Sequence, residues 1–131
     1  MTLSILLVED EAIHYSLFKR HMERSELNAL VTRVETGEKA IHVLTALPGV
    51  NYDVVVLDLN LPDMSGVRIL EYIRGDANLS SLPVVILSTS NIAEEYNTCL
   101  RLGVKQFFEK PLSYSDFFKN LESLIKAGDI A

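Results

Sequence analysis

Short strand-like segments recur along this chain: the apolar runs Ile5-Leu6-Leu7-Val8, Val54-Val55-Val56-Leu57, Val84-Val85-Ile86-Leu87 and Phe107-Phe108, and a mixed one from Val31 to Val34. Three of them are unbroken β-branched and leucine runs, the pattern of strands buried on both faces of a parallel sheet. The strands they predict span residues 3–8, 29–35, 53–58, 83–88 and 105–109. Between them the apolar positions follow a helical period. The first helix covers 11–25, with Ile13, Leu17 and Arg20-His21 on the period and Tyr15 and Phe18 beside them. The second is capped by Thr36, buries Ala40, Ile41 and Leu44, and stops at Pro48-Gly49. The third carries Val67, Ile69, Leu70 and Ile73 and ends near Gly75-Asp76. The fourth, 92–102, ends at Gly103, placed for a left-handed cap. The last opens on Ser113-Tyr114-Ser115-Asp116, a capping box with a shortened acid, and continues through Phe117, Phe118, Leu121, Leu124 and Ile125. Alternating strands and helices of this kind predict an α/β parallel sheet, covered on both faces and joined by right-handed crossovers.

The residues at the strand ends carry the chemistry. The first strand runs into Glu9-Asp10, the third ends on Asp58 and is followed by Asn60, Pro62 and Ser65-Gly66, the fourth runs into Ser88-Thr89-Ser90, and the fifth into Glu109-Lys110-Pro111. In open α/β sheets the carboxyl ends of the strands are where ligands bind. Three carboxylates, those of Glu9, Asp10 and Asp58, are thereby directed toward one place. A like-charge pair about 4 Å apart costs roughly 4 kcal/mol at an effective dielectric near 20, so a counter-charge is required. A hard divalent cation with oxygen ligands supplies it, and magnesium suits a site of one or two carboxylates, waters and phosphate oxygens.

Composition narrows the function classes. The 131 residues predict one domain, 1–131, and 48% hydrophobic residues suffice for a core. Twelve Lys and Arg against 18 Asp and Glu give a net charge of −6, which argues against a nucleic-acid surface. The single cysteine, Cys99, forms no internal disulfide and reads as a packed apolar side chain. No basic leader opens the chain and no apolar run approaches the roughly 20 residues of a membrane span, so the expectation is a cytoplasmic protein. The sequon Asn78-Leu79-Ser80 has no consequence without a secretory signal.

The ordered set Glu9-Asp10, Asp58-Leu59-Asn60-Leu61-Pro62-Asp63-Met64-Ser65-Gly66, Pro83 through Ser88, and Gly103 through Pro111 resembles the receiver domain of two-component response regulators. The resemblance covers essentially the whole chain. No one motif is specific, but five in order at compatible spacing are. The wording Asp-Leu-Asn-Leu-Pro and Leu-Ser-Thr-Ser is most similar to stand-alone receivers associated with bacteriophytochrome-type histidine kinases. The resemblance implies a flavodoxin-like (βα)5 fold of strand order 2-1-3-4-5 and no output domain. It implies that Asp58 accepts a phosphoryl group from a sensor histidine kinase, that Asp10, Asp58 and the Asn60 backbone carbonyl ligate Mg2+, and that Glu9 does so through water. Lys110 would stabilise charge on the transferring oxygens, and the Ser88 hydroxyl would bond the new phosphate. Phe107 stands where receivers carry the aromatic that turns inward as Ser88 moves. Here it lacks a hydroxyl, so switching would rest on packing. The output would be protein–protein interaction with a downstream or phosphotransfer partner. Outside that phosphotransfer, the chain is expected not to be an enzyme.

Other readings remain open at this point. A Glu-Asp pair after a strand is commonly a turn, Ser88 can simply end a strand, and Lys110-Pro111 can be a solvated corner. Leu59, Leu61 and Pro62 fill positions where a calcium loop needs polar residues or glycine. Haloacid dehalogenase-like phosphatases use an acid two residues after the nucleophile, where this chain has Asn60. A degenerate receiver serving as a constitutive binding module would not need the full set Glu9, Asp10, Asp58, Ser88 and Lys110. His14, His21 and His42 lack ligand spacing and are expected on wet helix faces without a phosphotransfer role. Six of the ten aromatics, Tyr96, Phe107, Phe108, Tyr114, Phe117 and Phe118, follow residue 92. That is more than one helix and one edge strand are expected to bury, and it predicts a homodimer through the fourth helix, fifth strand and fifth helix.

Overall fold

The computed structural model describes residues 2–45, 51–89, 92–110 and 113–130. The expected helix stop at Pro48-Gly49 therefore lies outside the described residues, as do Ser90 and Pro111. Strands β1 (Leu3–Val8), β2 (Ala29–Val34), β3 (Val54–Asp58), β4 (Val84–Ser88) and β5 (Gln106–Glu109) alternate with helices α1 (Ala12–Arg24), α2 (Gly37–Thr45), α3 (Gly66–Gly75), α4 (Ala93–Arg101) and α5 (Tyr114–Lys126). The sheet order is β2-β1-β3-β4-β5, with every neighbouring pair parallel. The chain leaves β1 toward one edge and returns to β3 on its other side, so a crevice opens between the tips of β1 and β3.

Glu35, Asp53, Pro83 and Lys105, expected inside strands, sit just beyond the strand limits. Asp53 still holds to β1, its N–H donating to the Ser4 carbonyl at 2.8 Å and its carboxylate accepting the Ser4 N–H at 2.7 Å. Side chains alternate across the sheet with the pleat. Leu3, Ile5, Leu7, Val54, Val56, Val85 and Leu87 face a layer formed by α1 and α5. Leu6, Val8, Val55, Leu57, Val84 and Ile86 face α2, α3 and α4. Each large apolar side chain buried this way contributes about 1.5–3 kcal/mol.

The caps anticipated at Thr36 and Ser113 form, with Lys39 N–H donating to Thr36 Oγ1 at 3.1 Å and Asp116 N–H to Ser113 Oγ at 3.4 Å. Gly103 takes φ 71°, the left-handed value expected of it. Two packing expectations fail. The buried stripe of α1 is Phe18 and Met22 with Tyr15 beside them, whereas Ile13 is 66% exposed. Phe118, one of the late aromatics expected on the α4–β5–α5 face, is a core residue, and Phe117 is buried beside it on the apolar period of α5. Phe18 receives both, at ring separations of 5.6 and 5.0 Å, and Phe108 meets Phe117 at 4.9 Å. Helix periodicity does not say which flank another helix covers; three phenylalanines from two helices supplied that answer by packing tilted and edge to face.

Candidate functional site

Parallel pairing brings the chemically active strand ends to one level. Val8 pairs with Leu57, Asp58 with Leu87 and Ser88 with Glu109, so the residues that terminate β1, β3, β4 and β5 lie side by side. Asp58 closes the central strand and is 4% exposed, with Glu9 and Ser88 also buried. Lys110 follows β5, and its backbone N–H donates to the Ser88 carbonyl at 2.8 Å. Its Nζ reaches Glu9 Oε1 at 2.8 Å and Asp58 Oδ2 at 3.0 Å. The other Asp58 oxygen accepts the Asn60 backbone N–H at 2.8 Å, while the Asn60 side-chain amide donates to Thr89 Oγ1 at 2.7 Å. Glu9, Asp10 and Asp58 offer carboxylate oxygens that lie within 4.8 Å of one another.

Burial raises the Glu9 pKa above its usual carboxylate value; Lys110 pulls it down, and the Asp58 charge adds to the rise. Burial alone would depress the Lys110 pKa, but hydrogen bonds and charge from Glu9 and Asp58 reverse this and hold it above the normal ammonium value. Lys110 thus stays charged across the physiological range. Its charge offsets those of Glu9 and Asp58. The donors are all hard oxygens, closely grouped, which fits a small divalent cation and gives soft metals nothing to prefer.

Three residues of the site had no chemical role in the sequence. Gly66 sits so close to the tip of β3 that a Cβ would lie 2.5 Å from the Asp58 carbonyl oxygen and 2.8 Å from Leu59 Cα. Only glycine lets α3 begin there, and its N–H donates to the Leu59 carbonyl at 2.9 Å. Arg33 on β2 donates from Nε to the Glu9 carbonyl and from Nη2 to the Asp10 carbonyl, both at 3.0 Å, and so clamps the backbone that presents the acid pair. An arginine on an edge strand gives no sequence signal for that reach. His14 corrects an expectation: it is not on a wet face but beside the site, with Nδ1 3.1 Å from Lys110 Nζ and 3.3 Å from Glu9 Oε1. Its position one turn into α1 after Glu9-Asp10 could have flagged it. His42 is exposed as expected, and His21 stacks on Tyr114 at 5.4 Å.

Phe107 is half-buried and meets Tyr96 edge to face at 5.1 Å, with Tyr96 44% exposed. Ile92, Tyr96 and Leu100 leave an exposed apolar line along α4. No helix among the described residues is long and apolar enough to cross a membrane.

A five-stranded 2-1-3-4-5 sheet with acids, a serine and a lysine at its carboxyl edge defines a phosphoacceptor class of α/β protein. Residues 5–122 match the family model for the response regulator receiver domain, and the chain belongs to that family. Among curated relatives, the two-component response regulator ARR17 of Arabidopsis thaliana is 33% identical over 126 residues, covering 89% of this chain and 81% of the relative. The solved bacteriophytochrome response regulator RtBRR superposes with a TM-score of 0.82 at 32% identity, over 95% of this chain and 78% of that one. The Mn(2+)-bound form of response regulator Rcp1 gives a TM-score of 0.80 at 26% identity, over 93% and 91%. The chain is accordingly a receiver domain of two-component signalling, a class phosphorylated by histidine kinases and coupled to downstream partners.

Proposed function

We propose that Asp58 is the residue that takes the phosphoryl group. The observation that carries this reading is the Asp58 carboxylate itself, at the tip of the central strand, 4% exposed and flanked by Glu9, Asp10 and Lys110. In the reaction an Asp58 oxygen attacks phosphorus, the nitrogen–phosphorus bond of a kinase phosphohistidine breaks, and the imidazole leaves with its electron pair and takes up a proton. An acyl phosphate results. Lys110 stabilises negative charge on the phosphoryl oxygens, and Ser88 donates its hydroxyl to one of them.

Asp10, Asp58 and the Asn60 backbone carbonyl would hold Mg2+, with Glu9 acting through water. When bound, the ion neutralises charge on the phosphoryl oxygens. The tight group of three carboxylates supports this assignment, as does the manganese in the similar Rcp1 protein. The chain then works in the cytoplasm as a receiver that turns over no external substrate and signals by changing what it binds. Phosphate draws Ser88 inward, Phe107 follows, and the face made by α4, β5 and α5 changes its affinity for a downstream protein or a second copy.

The reading is tested with purified protein, magnesium and either a histidine kinase with ATP or acetyl phosphate. Wild type should become labelled and Asp58→Asn should not. Equal labelling of the variant would move the acceptor elsewhere.

A further inference from the structure

We propose that His14 is a positioning residue for Lys110, a role that rests on the phosphoacceptor reading of Asp58. Lys110 crosses from the tip of β5 to β3 and β1, and an extended lysine loses much of its rotamer freedom when so held. Its ammonium has three N–H donors. Three polar atoms meet them: Glu9 Oε1 at 2.8 Å, Asp58 Oδ2 at 3.0 Å and His14 Nδ1 at 3.1 Å, the last also 3.3 Å from Glu9 Oε1 and, on this proposal, the third acceptor. With Lys110 donating, Nδ1 is the bare nitrogen and the ring proton sits on Nε2, which faces Glu11 Oε2 at 3.5 Å. The Tyr114 hydroxyl, donating to the His14 carbonyl at 3.4 Å, ties this turn of α1 to α5.

The three contacts differ once Asp58 is phosphorylated. Acylation removes the negative charge of the Asp58 carboxylate, so the proton given to Asp58 is the one freed for a phosphoryl oxygen. Glu9 and His14 keep the other two, and Nζ stays aimed at the transferring group. His14 therefore acts through Lys110 and touches neither phosphorus nor metal in this role.

The test measures acetyl phosphate labelling in saturating magnesium, together with the Lys110 ammonium resonance in 15N-lysine protein. His14→Ala should label about tenfold more slowly at saturating donor, equivalent to about 1.4 kcal/mol, with the half-saturating donor concentration little changed. It should also broaden or lose the ammonium signal. His14→Asn, whose side-chain oxygen can occupy the Nδ1 position, should recover most of both. In a Lys110→Met background, His14→Ala should have no further effect. If His14→Ala does not fold, His14→Leu fills the volume without an acceptor. A His14→Ala protein that labels as fast as wild type or faster, an Asn variant as slow as Ala, or an undiminished effect without Lys110 would each overturn the proposal. Wild type that takes no label would overturn the phosphoacceptor reading and this one with it. Labelled wild type matched by His14→Ala overturns this one alone.

Discussion

Asp10 differs from the two acids beside it. Glu9 and Asp58 share the Lys110 ammonium, whereas the Asp10 carboxylate has no hydrogen-bond or ion-pair partner among the described residues. It is thus the ligand with most to gain from a cation. Millimolar magnesium should raise the thermal midpoint of the wild type, because a ligand of the folded state adds about 2.7 kcal/mol at a hundred times its dissociation constant. Asp10→Ala should lose most of this rise and be no less stable without metal, since it removes like-charge repulsion. A calorimetric scan with and without magnesium decides it. An unchanged response in the variant would place the ion elsewhere.

At the level of elements, the site depends on loops held at both ends of the sheet. Asp63, in the loop carrying Asn60, accepts the Gly37 and Glu38 N–H groups at 2.9 and 3.0 Å and so caps α2 from outside. Those two bonds lower its pKa. At the opposite end Arg74, at the C-terminal end of α3, donates to the carbonyls of Leu102 at 2.6 Å, Leu82 at 2.7 Å, and Ser80 and Gly103 at 3.3 Å. One guanidinium thereby joins the loop before β4 to the loop before β5, the strand at whose far end Lys110 follows. Arg74→Met keeps the stem but strands those acceptors. It should cost about 1–3 kcal/mol in urea unfolding, with the slope unchanged, because orphaned partly buried carbonyls lose their partners. Arg74→Lys should recover only part, since a point charge cannot span four carbonyls.

Over the whole molecule, the switch proposed above would run through the α2–α3–α4 side of the core, where Phe107 packs near Ile86 and against Tyr96. Phe118 takes no part on the surface, because it is locked with Phe18 and Phe117 on the other side of the sheet. On that proposal the patch expected to respond is Ile92, Tyr96, Leu100 and Phe107. Beryllofluoride with magnesium should change amide exchange over residues 92–109 in the wild type, and far less in Ser88→Ala. Exchange at Phe117, Phe118 and Leu121 should stay protected in both. If the mimic binds and 92–109 do not respond, coupling does not run through Ser88 and Phe107. Sedimentation under the same conditions tests whether the patch also joins two copies.

Order and type of elements were legible in the chain because three of the five strands are built on unbroken apolar runs and the helices between them keep a helical period. The acids, Ser88 and Lys110 were legible because strand ends in a parallel sheet share one edge, so position along the chain implied meeting in space. Even Thr36, Gly103 and Ser113 declared their caps through local chemistry. Tertiary structure alone decided what depends on a side chain's reach and direction. Ile13 and Phe118 are both apolar and both on period, yet one faces solvent and the other the core, since only the neighbouring helix determines which flank is covered. His14 and Arg33 reach the site from α1 and β2, through contacts 96 residues along the chain to Lys110 and 24 back to Glu9. Lengths like these carry no period. They arise when the crossovers close and bring distant side chains within hydrogen-bonding reach.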